Sequence, residues 1–78
     1  MEHIEFGLNR EFVQLNQLLK LTGLCDSGGA GKALVATGTV AVDGRIELRK
    51  TCKIRVGQEV TLGPVQISVV AGGDAPQD

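Results

Sequence analysis

The sequence predicts an α+β fold in which two N-terminal helices pack on a small, twisted antiparallel sheet. Three observations carry that expectation. Apolar residues recur at three- and four-residue spacing between Phe12 and Leu19, and a second capped segment runs from Asp26 and Ser27 to Gly38. From Thr39 onward, short runs rich in valine and isoleucine alternate with glycine-containing turns. Helices first and strands afterwards is the order of an α+β layer architecture.

Taken in order, Ile4 and Phe6 alternate with Glu5 and Gly7 as a short, half-exposed strand does. Asn9 stands where it can cap a helix whose buried stripe is Phe12, Leu15, Leu18 and Leu19, with Leu8 at its margin, and which ends before Gly23. Asp26 and Ser27 head a second helix with a narrow apolar face of Ala30, Ala33, Leu34 and Ala36, and Gly38 supplies the left-handed residue that ends it. Residues 39–42 form a strand. Asp43-Gly44 then closes a hairpin, because a type I′ turn needs positive φ at both central positions. Residues 45–48 return alongside, the basic connector 49–53 leads to a strand over 54–56, and Gly57-Gln58 turns into residues 59–62. Gly63-Pro64 turns again before residues 65–70. Residues 1–71 read as a single domain and residues 72–78, polar with Gly and Pro, as a flexible tail.

Composition narrows the function. Seventy-eight residues hold one modest core. A hydrophobic content of 42% with 22% charged residues is that of a globular chain, neither disordered nor membrane-embedded. No apolar run approaches the roughly 18 residues of a membrane span, and the start of the chain lacks a signal-peptide pattern, so the cytoplasm is the expected location. Cys25 and Cys52 are far apart and His3 is the only histidine, which leaves no metal site; each cysteine reads as a reduced, partly buried thiol. The segment 28–32 has the look of a nucleotide loop, but a P-loop requires Gly where Asp26 stands and Ser or Thr where Ala33 stands. With no paired nucleophile and base either, no enzyme, cofactor or small-molecule substrate is expected.

The net charge of −1 argues against a nucleic-acid ligand until its distribution is considered. Between Ser27 and Gly57 six bases, Lys32, Arg45, Arg49, Lys50, Lys53 and Arg55, face two acids, Asp43 and Glu47. One stretch of an acidic chain is basic.

Residues 27–44 pass from a serine-headed helix through Gly38 to the strand Val40-Ala41-Val42 and the Asp43-Gly44 turn. That succession resembles the RNA-binding domain named for small-subunit ribosomal protein S-four, also called the alpha-L motif. Within that superfamily the chain is most similar to the small stand-alone bacterial YbcJ-type proteins. The shared order is Leu18-Leu19-Lys20-Leu21, Ser27-Gly28, Lys32, Val42-Asp43-Gly44, Arg49-Lys50, Cys52-Lys53-Ile54 and Val56-Gly57, and the likeness covers residues 4 to 71. It implies RNA binding by the start of the second helix, the hairpin and the connector. Larger members carry Arg and Asp where this chain has Gln14 and Asn16, and often Arg where Gly28 stands.

The chemistry of those positions suits phosphate. Ser27, Gly28 and Gly29 present unpaired backbone N–H groups at the positive end of a helix, with Lys32 one turn in. Arg45, Arg49, Lys50 and Lys53 extend from the hairpin and connector, whereas alternation puts Arg55 on a strand's outer face. There is no Trp or Tyr, and Phe6 and Phe12 are assigned to the core, so no aromatic platform is expected for unpaired bases. Structured RNA, such as a junction in ribosomal RNA, is the partner implied. The competing expectation is a protein-interaction module that keeps the fold without RNA; the oligomeric state is left open.

Overall fold

The computed structural model describes residues 2–72. Valine- and isoleucine-rich runs become β1 (Glu2–Leu8), β3 (Val40–Val42), β6 (Glu59–Leu62) and β7 (Val65–Ala71), joined by β4 (Arg45–Ile46) in a five-stranded sheet of order β1-β7-β6-β3-β4. A separate two-stranded ladder pairs β2 (Val13–Gln14) with β5 (Lys53–Ile54), and the helices are α1 (Leu15–Leu21) and α2 (Gly28–Ala36). The fold class is α+β, as the sequence predicts, but the sheet is mixed. β3, β4, β6 and β7 pair antiparallel, while β1 lies parallel to β7, from Glu2 opposite Val65 to Leu8 opposite Ala71. Parallel neighbours require a long crossover, and here everything between β1 and β7 supplies it.

The strongest local signal holds. Asp43 and Gly44 sit at φ 52° and 85°, the two positive values a type I′ turn needs. The Asp43 carboxylate accepts from the Glu59 N–H (3.0 Å) and from Gln58 Nε2 (3.1 Å), which ties the turn to β6. Those hydrogen bonds hold its pKa below the usual carboxylate value, the Glu59 backbone contact contributing most. β4 is shorter than expected, although Glu47 N–H still donates to the Val40 carbonyl at 2.9 Å.

Both helices depart from their expected faces or bounds. α1 begins at Leu15, not after Asn9, and Phe12 lies outside it. Residues 13 and 14 are extended because they pair with Ile54 and Lys53. The first N–H groups of α1 are then taken by the connector: Leu15 N–H donates to the Cys52 carbonyl (2.8 Å) and Asn16 N–H to the Lys50 carbonyl (3.1 Å). The helix therefore has no side-chain cap. α2 starts after Ser27 as expected, with Ser27 Oγ accepting from the Ala30 N–H at 3.1 Å, and Gly38 follows its end at φ 77°. Its buried residues, however, are Gly31 and Val35, while Ala33 and Ala36 are exposed.

The core joins both layers: Leu15, Leu18 and Leu19 of α1 and Val35 of α2 meet Val40, Val60, Ile67 and Val69 of the sheet, with Ile54 from the small ladder. Of the expected tail, Gly72 donates its N–H to the Leu8 carbonyl at 3.0 Å, and residues 73–78 lie outside the described part.

α2 rests directly on the backbone of α1. A Cβ at Gly31 would stand 2.5 Å from the Asn16 carbonyl oxygen. Gly31→Ala is therefore expected to lower stability by about 1–3 kcal/mol, the usual cost of overpacking, although alanine is worth about 1 kcal/mol more than glycine in a helix. Urea denaturation measures it; an unchanged or raised midpoint contradicts the close packing.

Candidate nucleic-acid interface

Each cation reaches its place through the backbone that carries it. The connector is held against the start of α1 by the two carbonyl contacts just described, and its side chains at Arg49, Lys50 and Lys53 are exposed. α2, locked on α1 through Gly31, brings Lys32 to the same side. The result is an open groove of about 690 Å³ lined by Lys32, Arg49, Lys50, Thr51, Cys52, Lys53 and Arg55.

The structure thus assembles four of the sequence-predicted residues, Lys32, Arg49, Lys50 and Lys53, and adds Arg55. Arg45 does not line the groove; it is exposed on β4, opposite Val42 at the base of the hairpin turn. Ser27, Gly28 and Gly29 form the first turn of α2, one turn ahead of Lys32. Gly29 is exposed with room around it, and its nearest neighbour for a Cβ is Ser27 Oγ at 3.9 Å. Gly28 is tighter, because a Cβ there would come within 2.8 Å of Gln17 Nε2. Its carbonyl accepts from Asn16 Nδ2 at 3.3 Å, a contact an aspartate at that position could not make. Asn16, only 2% exposed, is in this chain a link between the two helices.

The cations are not equally available. Arg49 embraces Glu47, with Nε at 3.0 Å from Oε2 and Nη2 at 3.2 Å from Oε1, and the Arg49 N–H adds a third contact at 2.9 Å. These hydrogen bonds lower the Glu47 carboxyl from 4.5 to about 2. Arg55 meets Glu11 at 3.6 Å. Among the described residues Lys32, Arg45, Lys50 and Lys53 form no ion pair. Cys52, on the groove floor, is a free thiol whose pKa burial pushes upward, so it is a poor nucleophile at neutral pH.

Phe12 does not take the core position its spacing predicts. Outside α1 and not packed on the core cluster, it lies half-buried beneath two groove cations, with Lys53 Nζ 4.9 Å and Arg55 Cζ 5.7 Å from its ring centroid. Its three- and seven-residue spacing to Leu15 and Leu19 imitates a helical stripe, and no local signal shows that residues 13 and 14 pair with a distant strand.

Fold and groove define a small helix-and-sheet binding module with a concentrated positive surface. The chain belongs to the S4 domain family, whose sequence pattern matches residues 6–70. It is similar to YbcJ of Escherichia coli strain K12, which its name puts forward as an RNA-binding protein, at 48% identity over 59 residues, covering 76% of this chain and 84% of that one. YbcJ of Shigella flexneri is similar to the same extent. The solution structure of E. coli YbcJ, described as revealing an alpha-L motif involved in RNA binding, aligns with a TM-score of 0.64 at 42% identity, covering 91% of this chain and 89% of that one.

Glu47 works against the groove by occupying Arg49. Glu47→Gln is expected to move elution from a heparin column to higher salt, and by more than Glu2→Gln, which changes net charge equally on the edge strand β1. Equal shifts would contradict a specific hold on Arg49. The lowered pKa also fixes a pH window: the Glu47–Arg49 contact contributes fully above about 4.5 and is lost as pH falls through about 2. NMR titration of the Glu47 carboxyl carbon measures that midpoint.

Proposed function

We propose that this protein is an RNA-binding module, without catalytic activity, that grips folded RNA of the ribosomal kind through its phosphates. The observation that carries the reading is the groove itself, where Lys32, Arg49, Lys50 and Lys53 converge from two separate elements in a chain of net charge −1. Such a concentration of charge is the footprint of a polyanion, since each phosphate neutralised by Lys or Arg releases bound counterions. The exposed first turn of α2 adds backbone N–H donors at a helix N-terminus, and Arg45 extends the positive surface along the hairpin. Membership of the S4 family and the RNA-binding description of the E. coli relative support the same reading.

Residues 1–71 act in this reading as one unit. The protein works in the cytoplasm; no helix among the described residues is long and apolar enough to cross a membrane. Among those residues no group of three or more His, Cys, Asp or Glu could hold a metal ion, and the reading invokes neither metal nor cofactor.

A second reading, a protein-interaction module that retains the fold without RNA, is favoured by one feature. Ile46 and Leu48 are 58% and 60% exposed on and just beyond the edge strand β4.

Salt dependence separates the two, because apolar protein contacts release no counterions. Lys50→Ala and Lys53→Ala are each expected to weaken binding to different folded RNAs by similar factors, leaving their ranking intact. Each should flatten the slope of log affinity against log salt by roughly 0.7 to 0.9. Filter binding at several salt concentrations, with circular dichroism to confirm folding, is the measurement. Unchanged slope and affinity would remove both lysines from the interface, and an unmutated protein without salt-dependent RNA binding would favour the interaction module.

A further inference from the structure

Beside the basic groove lies a second concavity, a cleft of about 500 Å³ between the end of β1 and the exposed side of α1. Phe6, Phe12 and Leu21 give it apolar walls, and Leu21 is 59% exposed there. Asn9 and Gln14 contribute amide side chains, and among the described residues neither amide makes a hydrogen bond, while the Gln17 amide lies over Gly28 of α2. The cleft and the groove meet at Phe12, whose ring lines the former and lies beneath Lys53 and Arg55 of the latter.

We propose that this cleft receives an unpaired nucleobase of the RNA held in the groove, stacked on Phe12 and hydrogen-bonded at its edge by the neighbouring amides. The inference rests on the RNA-binding reading and deepens it, adding recognition of a base to contact with phosphates. Three features select this occupant. An aromatic ring not packed into the core has a face to offer, and stacking on such a ring is the usual way proteins hold unpaired bases. Asn and Gln amides carry the paired donor and acceptor that match a base edge. The cations over the ring are those placed to meet phosphates, so a strand crossing the groove brings a base to the cleft's mouth while Lys53 and Arg55 turn from the ring to the backbone. Gln14, exposed on the cleft wall, becomes an edge-reading group.

The test uses two RNA hairpins of equal length, one with a single unpaired 2-aminopurine in its stem and one with 2-aminopurine paired at the same place. On the unmutated protein, saturation is expected to quench the unpaired probe and leave the paired one little changed. Phe12→Ala should abolish that quenching and weaken binding to the bulged hairpin about 5- to 150-fold more than binding to the paired hairpin. Phe12→Trp should restore quenching, and thermal melting confirms that both variants fold. Equal weakening on both hairpins, or quenching that survives Phe12→Ala, overturns the base site while leaving phosphate binding standing. Absence of salt-dependent binding to either hairpin overturns the RNA-binding reading and the base site with it.

Discussion

Two hydrogen bonds at the start of α1 determine where the positive charge of this protein can go. A helix leaves its first N–H groups without internal partners, and burying them unpaired is costly. Here they are satisfied by the carbonyls of Cys52 and Lys50, a segment far along the chain, and the β2–β5 ladder continues the same contact. The basic connector is thereby fixed to α1 by its backbone, which frees its side chains for solvent and ligand. α2 is fixed to the same helix by the approach of Gly31 to the Asn16 backbone and by the Asn16 contact to Gly28. Lys32 and the connector cations share a groove because both of their elements are registered on α1.

Electrostatics then depends on local arrangement more than on totals. A chain with one excess negative charge presents a positive groove because, among the described residues, the acids beside it are each held close to a partner. Glu47 and Glu11 answer Arg49 and Arg55, while the Asp43 carboxylate is occupied by Glu59 and Gln58 in the hairpin. Exposed ion pairs of this kind contribute little to stability. Their effect lies in how many cations a polyanion meets unopposed.

The features legible in the sequence are those fixed by neighbouring residues. The Asp43-Gly44 turn, the Ser27 cap, Gly38 and the β6–β7 hairpin each follow from conformational preferences acting over a few positions. The features set by remote partners were not legible. The parallel pairing of β1 with β7 leaves no turn signal, and the start of α1 is decided by carbonyls at 50 and 52 rather than by Asn9. The buried face of α2 follows Gly31 and Val35 because glycine admits the backbone of α1, a choice that counting alanines misses. The same limit applies to the candidate site: Lys32, Arg49, Lys50 and Lys53 were readable as a charge cluster, whereas Phe12 looked like core until its neighbours were placed.

The groove between α2 and the connector is the proposed seat of RNA. Amide chemical-shift mapping of the 15N-labelled protein, titrated with a folded RNA hairpin at low salt, tests it most directly. Progressive, saturable shifts are expected at residues 28–32 and 49–55, reversed by added salt, with residues 2–5 of β1 unaffected. Shifts concentrated on β1 and β7, or on Ile46 and Leu48 alone, would contradict it.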